Sequence, residues 1–98
     1  MNARNLSKIS SYIGFAAKAG KIVYGADQIV GRQRQKVIIL CPTAGENTKK
    51  KLLNYADKTS SPLVVPEGIT LEEILKKKNC KAVAVTDTCL AKAIIENA

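Results

Sequence analysis

The sequence contains no histidine and no tryptophan, and its aromatic side chains are one phenylalanine and three tyrosines. Without histidine, a Ser-His-Asp triad, a Cys-His protease site and a His-bearing zinc site each lack an essential group. No run approaches the roughly 20 apolar residues that a membrane helix needs, so an integral membrane protein is not expected. The first residues also lack the apolar core of an export signal, and we therefore expect a cytoplasmic protein.

Cysteine is scarce, and its spacing does not suggest a framework. The three cysteines, Cys41, Cys80 and Cys89, form no C-x-x-C pair and are odd in number, so neither a disulfide scaffold nor a zinc ribbon is expected. Cys41 and Cys80 adjoin apolar, strand-like runs, where a thiol usually behaves as a small buried hydrophobe. The sequence therefore predicts structural thiols, with no metal and no cofactor.

Acidic residues are also few, with 8 Asp and Glu against 16 Lys and Arg, which gives a net charge of +8 over 98 residues. A surplus of this size makes a polyanion the first partner to consider. Residues 1–36 hold seven basic side chains and one acid, Asp27, and two lysine triplets follow at residues 49–51 and 76–78. The alternative is a basic surface without a polyanion partner.

Helical and extended patterns alternate along the chain. Short apolar runs predict strands at residues 21–24, 36–41, 62–66 and 81–85. Helices are predicted over residues 5–19, 26–33 and 47–58, after the capping box of Thr70 and Glu73, and after a cap at Thr86 or Asp87. We expect one α/β domain over residues 1–98, a three-layer α-β-α sandwich with a mixed, largely parallel sheet of about four strands.

Apolar spacing also predicts which helix side chains face the core. The inward side chains are predicted to be Leu6, Ile9, Ile13, Ala16, Ala17, Ile29, Val30, Leu52, Leu53 and Ala56, and the last predicted helix carries the apolar residues Leu90, Ala93, Ile94 and Ile95.

The first candidate site is the turn that begins the second predicted helix. It consists of Tyr24, Gly25, Ala26, Asp27 and Gln28, with Arg32 and Arg34 following within about two turns. Glycine lets the backbone approach a ligand closely, and the first N–H groups of a helix are unpaired donors that attract phosphate or the edge of a base. Asp27 and Gln28 suit base edges, and the arginines suit phosphates. The alternative is an ordinary turn in which Asp27 complements the helix dipole.

Two other segments carry lysines near predicted helix or strand ends. Residues 42–50 resemble a phosphate loop, but Gly45 is its one glycine and the Gly-Lys-Ser/Thr ending is missing, so nucleotide hydrolysis is not expected. The loop containing Lys77, Lys78 and Asn79 connects a helix to a strand, and it could border the same anion-binding rim as Ala26. A solvated charge run is the alternative for this loop.

Four blocks of the sequence together resemble one known family. They are residues 19–27 (AGKIVYGAD), 36–40 (KVIIL), 44–51 (AGENTKKK) and 82–87 (AVAVTD). In order and spacing they resemble the kink-turn-binding ribosomal protein family (L-seven-Ae, L-thirty-e and relatives of the Gadd-type fold), and most of all its bacterial YlxQ-type branch. The resemblance covers the chain from about residue 5 to residue 95. It implies an α-β-α sandwich that binds RNA with a sharp bend flanked by sheared G·A pairs.

The resemblance also implies which residues contact RNA. In the family pattern Gly-x-Asn-Glu-x-x-Lys, Gly25 matches the glycine, Asp27 and Gln28 stand at the Asn and Glu positions, and Gly31 replaces the lysine, next to Arg32. The second family contact is the loop after the fourth helix. The predicted RNA-binding residues are therefore Gly25, Ala26, Asp27, Gln28, Arg32, Arg34, Lys77, Lys78 and Asn79.

The expected function is noncatalytic binding of ribosomal or other structured RNA, with the ribosome or other proteins as further partners and no membrane. The paired acids at residues 72 and 73 are explained by helix capping, and no nucleophile stands beside an activating base. A protein-interaction module on the same fold is the main alternative. An enzyme acting on a phosphorylated metabolite is the third.

Overall fold

The structure is a computed structural model and describes residues 3–32, 35–78 and 80–98. These residues form four strands and five helices, in the alternating order that the sequence predicts. The strands are β1 (Ile22–Tyr24), β2 (Val37–Leu40), β3 (Leu63–Val64) and β4 (Ala82–Val85). The helices are α1 (Ala3–Lys18), α2 (Ala26–Val30), α3 (Glu46–Thr59), α4 (Leu71–Leu75) and α5 (Thr88–Glu96).

The four strands form one mixed sheet in the order β1-β4-β2-β3. The pair β2 and β3 is parallel, whereas β4 runs antiparallel to both β1 and β2. The prediction of a largely parallel sheet is therefore wrong. Strands buried on both faces read as continuous apolar runs whichever way they run, so the runs did not reveal that the last strand inserts in reverse between the first two.

This topology gives the sheet two ends with different residues. The C-terminal ends of β1, β2 and β3 and the N-terminal end of β4 lie at the same end of the sheet. We call it the Gly25 end, and it is marked by residues 25, 41–43 and 81. The opposite end is marked by residues 21, 36, 62 and 86, and we call it the Lys36 end. The predicted sites at the start of α2 and after α4 both lie at the Gly25 end.

Helices cover both faces of the sheet, which confirms the α-β-α sandwich. On one face, α1, α4 and α5 pack on the side chains of Val37, Ile39, Val83 and Val85. On the other face, α2 and α3 pack on Ile38, Leu40, Ala82 and Ala84. All of these strand residues are at least 98% buried, because successive side chains of a strand point to opposite faces and both faces are covered.

Six of the ten predicted inward helix residues are buried, three are half-buried and one is exposed. Ile9, Ile13, Ile29, Leu52 and Ile94 are fully buried. The prediction for Leu53, which is 52% exposed, is wrong, and Ile95 of the last helix is 41% exposed. Each follows a fully buried residue, and one step along an α-helix rotates a side chain by about 100° away from its predecessor.

The helix ends clarify two predictions. The carboxylate of Asp87 accepts a hydrogen bond from the Leu90 N–H at 2.9 Å, so Asp87 and not Thr86 caps α5. Helix α2 ends at Val30 with Gly31 as its C-cap, so it is shorter than the predicted 26–33. Gly31 ends it because glycine is a weak helix former.

The longest helix, α1, has 16 residues. Within the part of the chain that the structure describes, none of the helices is both long and apolar enough to cross a bilayer.

Cys41 and Cys80 are buried, as predicted, whereas Cys89 is exposed on α5. Burial raises the pKa of the Cys80 thiol.

Candidate nucleic-acid interface

The turn at Gly25 connects β1 to α2 and fixes the direction in which α2 begins. Gly25 has φ +89° and ψ 140°, a conformation that glycine adopts far more readily than other residues. Its N–H donates to the Ala82 carbonyl at 3.0 Å, which attaches the turn to β4, and its carbonyl accepts from the Ile29 N–H at 3.1 Å. Because this is the first hydrogen bond of α2, the N–H groups of residues 26–28 have no carbonyl partner within the helix.

A cleft of about 460 Å³ lies between the first turns of α2 and α3. It is lined by Gly25, Ala26, Asp27, Gln28, Asn47, Thr48 and Lys51, and we call it the α2–α3 cleft. It joins the first four predicted site residues to three polar side chains of α3. Asn47, Thr48 and Lys51 were not predicted as site residues. Their spacing of i, i+1 and i+4 places them on one face of α3, which is the signal that could have identified them.

Asp27 and Lys51 form an ion pair across this cleft. The Lys51 ammonium donates to Asp27 Oδ1, while the side chains remain 48% and 85% exposed for Lys51 and Asp27 respectively. This hydrogen bond holds the pKa of the Asp27 carboxyl below its ordinary value. At neutral pH the cleft therefore presents an ionised carboxylate acceptor beside an ammonium donor. A ligand that offers both a hydrogen-bond donor and an anionic group can replace the ion pair, with its donor on Asp27 and its anionic group on Lys51.

A second cleft of about 200 Å³ adjoins the first. Its lining consists of Tyr24, Gly25, Lys77, Lys78, Cys80, Lys81 and Ala82, and we call it the lysine cleft. Gly25 lines both clefts, so the start of α2 and the α4–β4 loop do border one continuous surface, as the sequence predicts. The Lys77 ammonium also lies over the ring of Tyr24, which belongs to the predicted turn but was not predicted to bind RNA.

Lys81 anchors the loop that carries these lysines. Its ammonium donates to Glu72 Oε1 of α4 at 2.8 Å and to Thr43 Oγ1 at 3.0 Å. The hydrogen bond to Glu72 raises the pKa of Lys81. Because Lys81 directly precedes β4, these contacts hold the C-terminal end of the α4–β4 loop against α4 and the β2–α3 loop. Lys81 is thereby a positioning residue for Lys77 and Lys78.

Comparison with known proteins points in the same direction as the family resemblance. No family model matches this sequence. The chain is similar to a protein of Enterococcus faecium named RNA-binding protein YlxQ. The two are 35% identical over 63 residues, which cover 61% of this chain and 58% of the relative. The match thus spans somewhat more than half the length of that relative, and it agrees with the YlxQ-type resemblance.

A solved structure supports the fold along almost the whole chain. A protein with unknown function from Bacillus halodurans superposes with a TM-score of 0.79 at 26% sequence identity. The superposition covers 92% of this chain and 95% of that protein. The three-layer arrangement is therefore shared over nearly the full length of both chains.

Arg32, another predicted site residue, is not brought into either cleft. Arg32 is exposed after the end of α2, and its carbonyl accepts from the Tyr55 hydroxyl at 3.1 Å. It lines neither cleft, because the chain leaves the helix at Gly31 instead of continuing for another turn. Arg34 and Asn79 lie outside the described residues.

Among the described residues, no three Cys, Asp or Glu side chains are grouped closely enough to hold a metal ion.

Proposed function

We propose that this chain is a noncatalytic RNA-binding protein, one domain over residues 1–98, that works in the cytoplasm in association with the ribosome. The observation that carries the proposal is the meeting of two clefts at Gly25, with Lys51 on one side and Lys77 and Lys78 on the other. The lysines come from two separate parts of the fold. The similarity to a protein named for RNA binding supports the same function.

The proposed ligand is structured RNA with a kink-turn-like bend. Side chains cannot read the deep, narrow major groove of regular A-form RNA, so a bent or widened site is the target that a protruding turn can enter. In this arrangement Asp27 accepts from a guanine edge, and Gln28 adds an acceptor and a donor. The backbone N–H groups of residues 26–28 and the flanking lysines contact phosphates.

Binding would exchange the Asp27–Lys51 ion pair for contacts with RNA. The carboxylate turns to base N–H donors, and the released ammonium turns to a phosphate, so neither charge is left without a partner. Arg32, Arg34 and Asn79 are proposed as further RNA contacts. Since Arg32 lines neither cleft, we expect Arg32→Ala with Arg34→Ala to weaken binding less than Lys77→Ala with Lys78→Ala.

The test compares a kink-turn hairpin with a hairpin in which Watson–Crick pairs replace the sheared G·A pairs, measured by fluorescence anisotropy over a range of salt concentrations. We expect tighter binding of the kink-turn hairpin. Replacing Lys77 and Lys78 should lower the salt slope by about one for each lysine that contacts a phosphate. Lys8→Ala with Lys18→Ala, which replaces two exposed lysines of α1 that line neither cleft, is the matched control and should leave the slope unchanged.

Two outcomes would contradict different parts of the proposal. Equal affinity for the two hairpins would remove the kink-turn and keep RNA binding. Failure of the folded protein to bind either hairpin, or an unchanged salt slope in the Lys77 and Lys78 variant, would overturn the assignment of these clefts to RNA.

A further inference from the structure

An apolar groove of about 460 Å³ lies at the Lys36 end of the sheet, away from both clefts. Its floor is formed by Pro62, Ala91 and Ile95, and its charged boundary by Lys36, Lys92 and Glu96. We call it the α5 groove. Lys36 and Pro62 directly precede β2 and β3, and the other five lining residues, which include Thr88, lie on α5. The α5 groove therefore shares no residue with the α2–α3 cleft or the lysine cleft.

The α5 groove exposes an apolar side chain that the core does not use. Ile94 is fully buried beneath α5, whereas Ile95 is 41% exposed and lines the groove. Ala91 and Ile95 are one turn apart and form a short apolar stripe beside the core-facing side of the helix. An apolar side chain of a partner that binds here would be removed from water together with the apolar surface of the groove, and burial of both surfaces favours binding.

The charges around the floor favour an acidic partner. Lys36 and Lys92 are exposed, and among the described residues neither forms an ion pair. Glu96, one turn after Lys92 on α5, is the one carboxylate among the described residues that line the groove. The two lysines therefore outnumber it. Carboxylates entering beside Lys36 and Lys92 would complement them, and such complementarity selects partners as well as attracting them.

The chemistry of the floor favours a polypeptide over RNA. Proteins that hold unpaired bases usually stack them on aromatic side chains. The described residues that line this groove include no aromatic side chain, and its floor is aliphatic. We propose that the α5 groove docks a polypeptide segment of a partner protein, one that presents an apolar side chain between acidic residues. Because the groove lies at the opposite end of the sheet, this docking is independent of RNA binding at the Gly25 end.

Selection of short random displayed peptides on the immobilised full chain tests the proposal, with affinities then measured on single synthetic peptides. We expect the selected peptides to place Asp or Glu beside Leu, Ile or Phe. Ile95→Lys should weaken their binding by about tenfold or more, as expected when an interface anchor is lost. Leu53→Lys is the matched control, because Leu53 is also apolar and 52% exposed but lies on α3 across the sheet. It should leave the affinity unchanged. Circular dichroism and Tm establish that both variants fold.

A charge reversal separates the groove from the general basic character of the chain. Lys36→Glu with Lys92→Glu should change the selected peptides from acidic to basic. Lys8→Glu with Lys18→Glu, two exposed lysines of α1, makes the same change in net charge and should keep the acidic preference.

Four results would overturn the proposal, and three of them come from the peptides alone. They are a selection that enriches no peptide, peptides that bind the Ile95→Lys variant as well as the unaltered chain, and an acidic preference that survives reversal of Lys36 and Lys92. Displacement of the bound peptides by the kink-turn hairpin would also overturn it, because it would assign this groove to RNA. The hairpin's own affinity, measured on the Ile95→Lys variant, reports separately on the Gly25 end.

Discussion

The ammonium nitrogen of Lys77 lies 3.9 Å from the centroid of the Tyr24 ring. This cation–π contact joins the α4–β4 loop to the end of β1, next to the turn at Gly25. An exposed contact of this kind is worth about 0.5–1 kcal/mol. The loop is therefore held against the sheet before any ligand arrives, and Lys77 already lies at the boundary of the lysine cleft.

A double-mutant cycle on this pair measures the contact. We expect Tyr24→Leu and Lys77→Ala to be non-additive by about 0.5–1 kcal/mol in the free energy of unfolding, determined by urea denaturation. Lys78 belongs to the same loop and is exposed, so Lys78→Ala combined with Tyr24→Leu is the control and should be additive. Additive free energies for the Lys77 pair would show that the contact does not stabilise the loop in solution.

The Asp27–Lys51 ion pair makes a pH-dependent contribution to stability. Because Lys51 lowers the pKa of the folded-state carboxyl, the contribution is present above the ordinary aspartate pKa of about 3.9 and is lost as the pH falls through the lowered value. NMR titration of the Asp27 carboxyl should show a pKa below 3.9, and Lys51→Met should bring it back towards the ordinary value. Lys50→Met, a neighbouring exposed lysine of α3, is the control. An Asp27 pKa that is the same in all three proteins would contradict the pairing.

Gly25 and Gly14 should respond in opposite ways to the same substitution. A Cβ atom at either position meets no atom of the described residues within 4 Å, so neither change creates a clash. Gly25 has a positive φ, and Gly25→Ala should lower the free energy of unfolding by about 1–3 kcal/mol through backbone strain. Gly14 lies inside α1, where Gly14→Ala should stabilise the protein by roughly 0.5–1 kcal/mol. Thermal or urea unfolding measures both, and equal shifts of the same sign would refute the assigned backbone conformation.

Glu72 and Glu73 are adjacent in the first turn of α4, but only Glu72 accepts from Lys81 in the hydrogen bonds described here. Glu72→Gln and Glu73→Gln each remove one negative charge from the first turn of α4, so Glu73→Gln is the matched control. Glu72→Gln should destabilise the protein more, because it also weakens the contact with Lys81. Because the pKa of Lys81 is raised in the folded state, its stabilising contribution is complete below the ordinary lysine pKa of about 10.4 and is lost as the pH rises through the raised value. The difference between the two variants should therefore shrink in strongly alkaline solution. Equal stabilities near neutral pH would mean that the Lys81 contact does not anchor the loop.

Local sequence patterns predicted the helices and strands because their signals are contained in single segments. The β-branched runs of β2 and β4, the Thr70 cap and the glycine at the end of α1 each act over a few residues. The direction of β4 was not predictable in this way. It depends on pairing with β1, some 60 residues earlier in the sequence, for which the apolar run contains no local signal.

The candidate site shows the same division. The turn at Gly25 and the lysine loop were identified from composition and from the family resemblance, and the fold does place them side by side. Lys51 was missed because its partner, Asp27, lies 24 residues away and only the packing of α2 on α3 brings them together. Arg32 was expected near the site because α2 was predicted to continue past Gly31.

The shortness of the two outer strands has a consequence for self-association. β1 has three residues and β3 has two, and each forms one border of the sheet. An exposed sheet border can template the addition of another chain, but stacking of the cross-β type uses segments of about six residues. Borders this short offer an incoming strand only a few backbone hydrogen bonds. The short outer strands therefore disfavour fibril growth in a concentrated solution of this protein.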